Sequence, residues 1–175
     1  MDNQKKGLLV FLAVTGVSIA GPMVKWSMSC GASPVMVAFG RMALSFLLLL
    51  IPALKSGELQ AVVHAPRKQV ALACASGFLL AMHYTCWMTS LSFASTFVST
   101  ALVCTQPLFV AALSGVLLHE PIKREAVPGA VVAVVGAAAI GLLSMGGEQG
   151  SLLGDALALI GAMFIAGHWL TSRAA

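Results

Sequence analysis

The sequence predicts an all-α membrane protein, a polytopic bundle of transmembrane helices with six spans. Three observations predict this class. Hydrophobic residues make up 59% of the 175 positions and charged residues only 9%, against about 25% charged in typical soluble domains. The mean hydropathy is +0.95, and the apolar residues form long runs between short polar segments. Because so few charged side chains are available to cover a wet surface, a soluble enzyme, a disordered chain and a nucleic-acid-binding module are all disfavoured.

Six apolar runs approach the length of about 20 residues that a helix needs to cross a bilayer. They fall at residues 8–25, 35–51, 70–90, 96–118, 127–145 and 152–170. The connections between them are short, so no separate soluble domain is expected. The first run is too long for the core of a signal peptide and lacks a small-residue cleavage site, which predicts an uncleaved anchor.

The loop cations predict the orientation in the membrane. With a cytoplasmic N-terminus, every Lys and Arg of the loops lies inside, and the three outer loops contain none. The inner cations are Lys5, Lys6, Lys55, Arg67, Lys68, Lys123, Arg124 and Arg173. The positive-inside rule therefore predicts that the N-terminus lies in the cytoplasm. The expected location of this multi-pass protein is the cell inner membrane.

A cysteine introduced at Glu148 tests this orientation. Glu148 falls in the predicted outer loop between the fifth and sixth spans. A membrane-impermeant thiol reagent added from outside is therefore expected to label it, in a chain whose native cysteines are replaced by serine. Labelling that requires permeabilised membranes would contradict the predicted topology.

The sequence offers no pattern typical of a metal site, a cofactor site or an enzyme. The four cysteines form no CxxC pair and have no zinc-like spacing to histidine, so they are interpreted as small apolar side chains. They are Cys30, Cys74, Cys86 and Cys104. No nucleophile–base arrangement and no phosphate-binding loop is recognisable, so we expect neither catalysis, nor a cofactor, nor a primary pump.

Two cations lie within or at the edge of the spans, Lys25 and Arg41. A cation at the bilayer centre costs about 2.5–3.5 kcal/mol, so it usually faces a cavity or a partner. Arg41 lies about 10 Å inside the second span, at about 1.5 Å per residue, and no acidic residue lies mid-span to pair with it. Both are therefore candidates for an electropositive half-cavity that binds a carboxylate or another anionic group. The alternatives are that Lys25 reaches back to the interface and that Arg41 pairs with backbone carbonyls.

Two prolines are predicted to break spans, Pro22 in the first and Pro107 in the fourth. Proline removes a backbone donor, and broken helices are common at the binding sites of transporters. Ser18 shares a helical face with Pro22, and Gln106 directly precedes Pro107, so both are candidates to line a substrate cavity. The alternative is a structural kink stabilised by hydrogen bonds between helices.

The third span carries a continuous polar and aromatic face at steps of four, three, four and three residues. Its members are Ser76, Leu80, His83, Trp87 and Ser90, with Tyr84 beside them. This mixture suits an amphipathic solute better than lipid, which predicts that His83 and Trp87 line the cavity. The alternatives are an interhelical histidine with an interfacial tryptophan, and a histidine that carries a coupling proton.

The fifth span carries a ridge of small residues at every fourth position, which permits close helix packing. The ridge consists of Gly129, Ala133, Ala137 and Gly141. It also favours the alternative function of a membrane partner or assembly subunit that does not transport.

A weak internal repeat indicates the domain organisation. Ile19-Ala20-Gly21 in the first span recurs as Ile165-Ala166-Gly167 in the sixth. A unit of five helices has an odd number of spans, so its second copy is inverted, as in many secondary transporters. Residues 1–145 are therefore predicted to form a first five-helix repeat, and residues 146–175 the loop and first helix of a second, truncated repeat.

The chain resembles the EamA-like branch of the drug/metabolite transporter superfamily. The resemblance covers essentially the whole chain and is carried by Gly21-Pro22 with Lys25, Gly31-Ala32-Ser33-Pro34, Arg41, His83-Tyr84, Trp87, Ser90-Leu91, Gln106-Pro107, Leu118-His119-Glu120, and Gly129 with Gly136. It implies ten helices in two inverted five-helix repeats around a central cavity. It also implies secondary transport of small metabolites, amino acids or drugs, and we favour export.

The expected partners follow from this resemblance and from the composition. They are a small-molecule solute and the lipid bilayer, and no nucleic acid is expected. Because Arg41 is a cation within a span, the solute is expected to carry a carboxylate. The sequence stops after the sixth span, so we expect a fragment or a truncated product that needs a second half, or a homodimer. An inactive half-transporter is the remaining alternative.

Overall fold

The structure is a computed structural model, and it describes residues 3–57, 64–117, 127–144 and 151–174. These residues form helices and no strand, which confirms the all-α class. The helices are α1 (Asn3–Ser29), α2 (Pro34–Ser56), α3 (Arg67–Ser90), α4 (Thr96–Val103), α5 (Gln106–Leu117), α6 (Val127–Ser144) and α7 (Leu152–Ala174). The predicted loop cations Lys123 and Arg124, the label position Glu148 and the predicted repeat boundary at residue 145 lie outside the described residues.

By length and composition, five segments of the described chain could cross a membrane, which confirms a protein with several spans. They are Gly7–Ser29, Pro34–Ser56, Arg67–Ser90, Thr96–Gly115 and Leu152–Ala174. These segments match the predicted first, second, third, fourth and sixth spans. The predicted fifth span corresponds to α6, which has 18 residues.

Two serines cap the N-termini of α2 and α4, which lie at the same end of the bundle. The Ser33 hydroxyl accepts a hydrogen bond from the backbone N–H of Met36 at 3.2 Å and starts α2, with Pro34 in its first turn. The Ser95 hydroxyl accepts from the backbone N–H of Val98 at 3.2 Å and starts α4. We call the end of the bundle that carries Ser33 and Ser95 the capped end.

The first predicted helix break is absent. Pro22 lies inside α1, which runs without interruption from Asn3 to Ser29. Proline removes only one hydrogen bond of a long helix, and neighbouring helices and hydroxyl side chains make this loss tolerable in a membrane. Instead of facing a gap in the helix, the Ser18 hydroxyl donates to the Val14 carbonyl one turn back, at 2.8 Å.

The second proline lies directly after an interruption. The predicted fourth span is divided into α4 and α5, and Cys104 and Thr105 form the turn between them. Pro107 occupies the first turn of α5, where its missing N–H has no helical partner to lose. The Thr105 hydroxyl donates back to the Leu102 carbonyl at 2.6 Å, which satisfies one carbonyl at the end of α4.

The most extensive helix contact of the described chain joins α3 to α7, which run antiparallel. Three glycines of α7 lie along this contact. Gly154 faces Ala94 just beyond the end of α3, Gly161 faces the backbone at His83, and Gly167 faces Leu79. At Gly154 a Cβ would lie 2.9 Å from the Ala94 Cβ, so the absence of a side chain permits close approach there, whereas at Gly161 and Gly167 a Cβ would make ordinary contacts of 3.5 and 3.4 Å.

Buried apolar residues lie along α7 and in one cluster toward the capped end, where α1, α2 and α3 meet, and we call this cluster the core. It consists of Val24, Ala38, Trp87, Met88 and Leu91. Toward the other end, α1 and α2 expose large apolar side chains, such as Phe11 at 67% and Leu49 at 69%. Because lipid is as apolar as these side chains, such surfaces are compatible with a span that faces the bilayer.

Candidate functional site

Arg41, His83, Tyr84 and Trp87 form a cluster where α2 packs on α3, which we call the Arg41 cluster. The Arg41 guanidinium carbon lies 4.8 Å from the centre of the Tyr84 ring, over its face. The Tyr84 ring lies 5.1 Å from that of His83 and 6.5 Å from that of Trp87, between centroids. The rings of His83 and Trp87 are stacked at 6.1 Å. A cation and three aromatic rings therefore lie together inside the bundle.

Helical geometry explains why these residues meet. His83 and Trp87 are one turn apart on α3 and share a face, with Tyr84 at its edge. Arg41 lies about 10 Å from the start of α2, and Tyr84 lies about 9 Å from the end of α3, at about 1.5 Å per residue. Both helix ends belong to the capped end, so the two side chains reach the same depth.

The Arg41 side chain is half-buried, and among the described residues its one aromatic contact is with Tyr84. No hydrogen bond or ion pair joins its guanidinium to another side chain or carbonyl within the described ranges. A guanidinium carries five N–H donors in a planar fork that matches a carboxylate. The geometry therefore leaves a cation inside a predicted span with its donors available.

The His83 side chain links α3 to α7. Its exposed fraction is 6%, and its Nδ1 lies 2.8 Å from the Gly161 carbonyl. Because a carbonyl only accepts, Nδ1 carries the proton and donates it. This contact fits the alternative of an interhelical histidine, while a role toward a solute or a proton stays a prediction.

Trp87 is the aromatic member of the buried apolar core. Its exposed fraction is 8%, and it belongs to the same buried cluster as Val24, Ala38 and Leu91. Its indole Nε1 is buried and has no hydrogen-bond acceptor among the described residues. A buried donor without an acceptor is costly, so this N–H is a candidate to meet a group that the described chain does not supply.

Lys25 has no described contact with the Arg41 cluster and bonds to a different part of the bundle. Its ammonium nitrogen donates to the Ala94 carbonyl at 3.2 Å, across 69 positions of sequence. This bond ties α1 to the turn between α3 and α4, at the same turn that Gly154 of α7 contacts. The structure thus gives Lys25 a structural contact at the capped end, and its predicted role toward a solute stays untested.

The two remaining cavity candidates lie elsewhere. Ser18 is exposed and bonds within its own helix. Gln106 is half-buried at the start of α5, and its side chain makes no hydrogen bond to another described residue. Neither shares a described contact with the Arg41 cluster.

A second polar cluster, which the sequence analysis missed, joins α3 and α7 farther from the capped end. The Ser76 hydroxyl lies 2.7 Å from Nδ1 of His168 and 2.6 Å from the hydroxyl of Ser172. His168 and His83 each link the two helices, and both Ser76–His83 on α3 and Gly161–His168 on α7 are seven residues apart. The sequence feature that could have indicated this cluster is His168, a single histidine in the last apolar span, seven residues after Gly161.

Asp155 was also missed. It occupies the first turn of α7 and has an exposed fraction of only 6%. Asp155 therefore lies near the helix start and not mid-span, and the positive end of the helix dipole favours an acidic side chain there.

A cavity of about 660 Å³ lies between α5 and α6, apart from the Arg41 cluster. It is lined by Cys104, Pro107, Leu108, Ala111, Ala112, Gly129, Ala130, Val131, Ala133, Val134 and Val135. Gly129 and Ala133 of the predicted packing ridge therefore face this cavity, and a Cβ at Gly129 would meet no atom within 4 Å. For Ala137 and Gly141 the structure describes only helical backbone, so close packing of the ridge stays a prediction.

Comparison with known protein families shows to which family the chain belongs. Residues 4–142, which contain the whole Arg41 cluster, match the model of the EamA-like transporter family. The chain belongs to the EamA-like transporter family. Comparison with curated proteins and with solved structures finds no match. As an EamA-like protein with several apolar helices, it is a multi-pass membrane protein of a transporter type, which is consistent with the absence of a recognisable catalytic motif.

Proposed function

We propose that this EamA-like protein is a secondary transporter that exports a small carboxylate-bearing metabolite, amino acid or drug by alternating access. It lies in the cell inner membrane with its N-terminus in the cytoplasm. The observation that carries the solute class is Arg41. A cation at this depth is expensive, yet no described residue neutralises it or accepts a hydrogen bond from it. An anionic group of the solute supplies both functions.

The proposal includes the two-repeat plan, with residues 1–145 as the first repeat and residues 146–175 as the start of the second. What supports it is the packing of the repeated Ile-Ala-Gly motif. A Cβ at Gly21 would lie 3.0 Å from the Thr96 methyl group of α4, and one at Gly167 would lie 3.4 Å from Leu79 of α3. In both copies the glycine thus faces a neighbouring helix, tightly at Gly21 and at an ordinary contact distance at Gly167. A second half completes the binding cavity beside the Arg41 cluster.

Solute flux tests this function. The product of the complete reading frame is reconstituted into proteoliposomes and screened with radiolabelled carboxylates, amino acids and their amides. We expect saturable flux of at least one carboxylate that is stimulated by unlabelled solute on the opposite side, because alternating access exchanges solute between the two faces. Flux equal to that of protein-free vesicles for every solute would overturn the proposal in favour of a membrane partner that does not transport.

A further inference from the structure

We propose that Tyr84 is a positioning residue of the solute site, whose ring face holds the Arg41 guanidinium inside the membrane with its N–H donors available to a carboxylate. The inference rests on the proposed function and adds a residue that determines how the cation is presented. The contact that carries it is the 4.8 Å distance from the guanidinium carbon to the ring centroid.

The Tyr84 ring accommodates the Arg41 cation where no described residue supplies a counter-ion. An aromatic face attracts a guanidinium through its quadrupole, and the attraction is larger where water is excluded. A carbonyl or carboxylate would accept the N–H donors, but a ring face offers no lone pair to them. Tyr84 therefore stabilises the charge of Arg41 and leaves its hydrogen-bonding capacity for another molecule.

The Tyr84 ring is itself held in place by its neighbours. Tyr84 contacts the rings of His83 and Trp87, and it packs on the buried core. His83 is in turn fixed to α7 by its hydrogen bond to the Gly161 carbonyl. A connected set of contacts from α7 through His83 and Tyr84 thus fixes the position of a cation on α2. A pre-positioned donor loses less side-chain freedom when a solute binds.

The test compares Tyr84→Phe with Tyr84→Leu in the full protein. Phenylalanine keeps the ring face, and no described residue hydrogen-bonds to the Tyr84 hydroxyl, whereas leucine removes the ring. The first readout is the NMR resonance of the Arg41 Nε–H group, assigned with Arg41→Gln. Ring currents are expected to shift it strongly in the wild type and in Tyr84→Phe, and much less in Tyr84→Leu, which keeps the rings of His83 and Trp87 but loses the one over which Arg41 lies.

The second readout is the affinity for benzoate and for benzamide, which share a shape and differ in charge. Tyr84→Leu is expected to lower the affinity for benzoate about 2- to 30-fold and to leave that for benzamide unchanged, while Tyr84→Phe binds both as the wild type does. If Tyr84→Leu folds poorly, phenylalanine analogues with increasing ring fluorination at position 84 keep the shape and weaken the ring face. The preference for benzoate should then fall stepwise with fluorination.

The possible outcomes separate this inference from the proposed function. Loss of the ring-current shift without loss of benzoate affinity overturns the positioning role of Tyr84 and leaves the proposed function intact. An unshifted Arg41 resonance in the wild type also overturns it. Equal affinity for benzoate and benzamide, unchanged in Arg41→Gln, overturns the carboxylate site itself and the inference with it.

Discussion

Replacing Arg41 by glutamine is expected to weaken the binding of carboxylate-bearing solutes by about 1.5–3 kcal/mol, the range for a hydrogen bond to a charged group. Glutamine keeps hydrogen-bonding capacity but removes the charge, so the amide form of the same solute should bind nearly as before. Membrane insertion should not suffer, because the substitution removes a burial cost of about 2.5–3.5 kcal/mol. Competition of the carboxylate and amide forms against flux, in wild type and variant, measures the difference.

The matched control is Arg67→Gln, which makes the same substitution at the exposed start of α3. It should leave both the flux and the preference for the carboxylate unchanged. An equal loss for carboxylate and amide in Arg41→Gln would mean that Arg41 stabilises the helix arrangement rather than the solute. The electropositive cavity would then have to be abandoned.

Replacing Gly154 by leucine is expected to destabilise the folded bundle by about 1–3 kcal/mol, the usual cost of overpacking a close contact. A Cβ at this position would lie 2.9 Å from the Cβ of Ala94 and 3.1 Å from its backbone nitrogen. Ala94 has little freedom to move away, because its carbonyl accepts from Lys25 and its N–H donates to the Ser90 carbonyl at 2.9 Å. Denaturant titration in detergent micelles measures the loss.

The control for this variant is Gly136→Leu on α6. Gly136 is exposed, and a Cβ there would meet no atom within 4 Å, so leucine should be tolerated without loss of stability. Gly154→Ala should also lose stability, but less than leucine, because its single methyl group meets only the Ala94 Cβ and the neighbouring backbone. If Gly154→Leu is as stable as the wild type, α7 and Ala94 are farther apart than the 2.9 Å contact of a Cβ implies.

The Arg41 cluster shows how far sequence reasoning reaches into the site. Helical spacing placed His83 and Trp87 on one inward face of α3, and both are buried. The depth of Arg41 along its helix singled it out as a cation without a mid-span acidic partner. The sequence did not indicate that Tyr84 contacts Arg41, because that contact depends on how α2 and α3 are rotated against each other.

Other contacts could not be predicted from the sequence either, because they too depend on how the helices pack against each other. Lys25 was grouped with Arg41 because both cations lie in neighbouring spans, yet it donates to a carbonyl of the turn after α3. His168 lies 92 positions from Ser76, and nothing local to either residue indicates their hydrogen bond. Pro22 and Pro107 have the same local chemistry, yet the helix continues through one and begins at the other.

The sequence by itself determined that this is an all-helical membrane protein of the EamA-like family, where its apolar helices run and which residues of α3 share a face. These properties are local, since transfer into lipid, capping by serine and helical periodicity depend on residues near one another in the chain. Only the tertiary structure decided that α7 packs along α3, with Gly154, Gly161 and Gly167 at the contact. Lipid and helix surface are almost equally apolar, so hydropathy does not specify which helices pair. Pairing depends on close approach at small residues and on a few long-range hydrogen bonds, and these exist only once the helices are assembled.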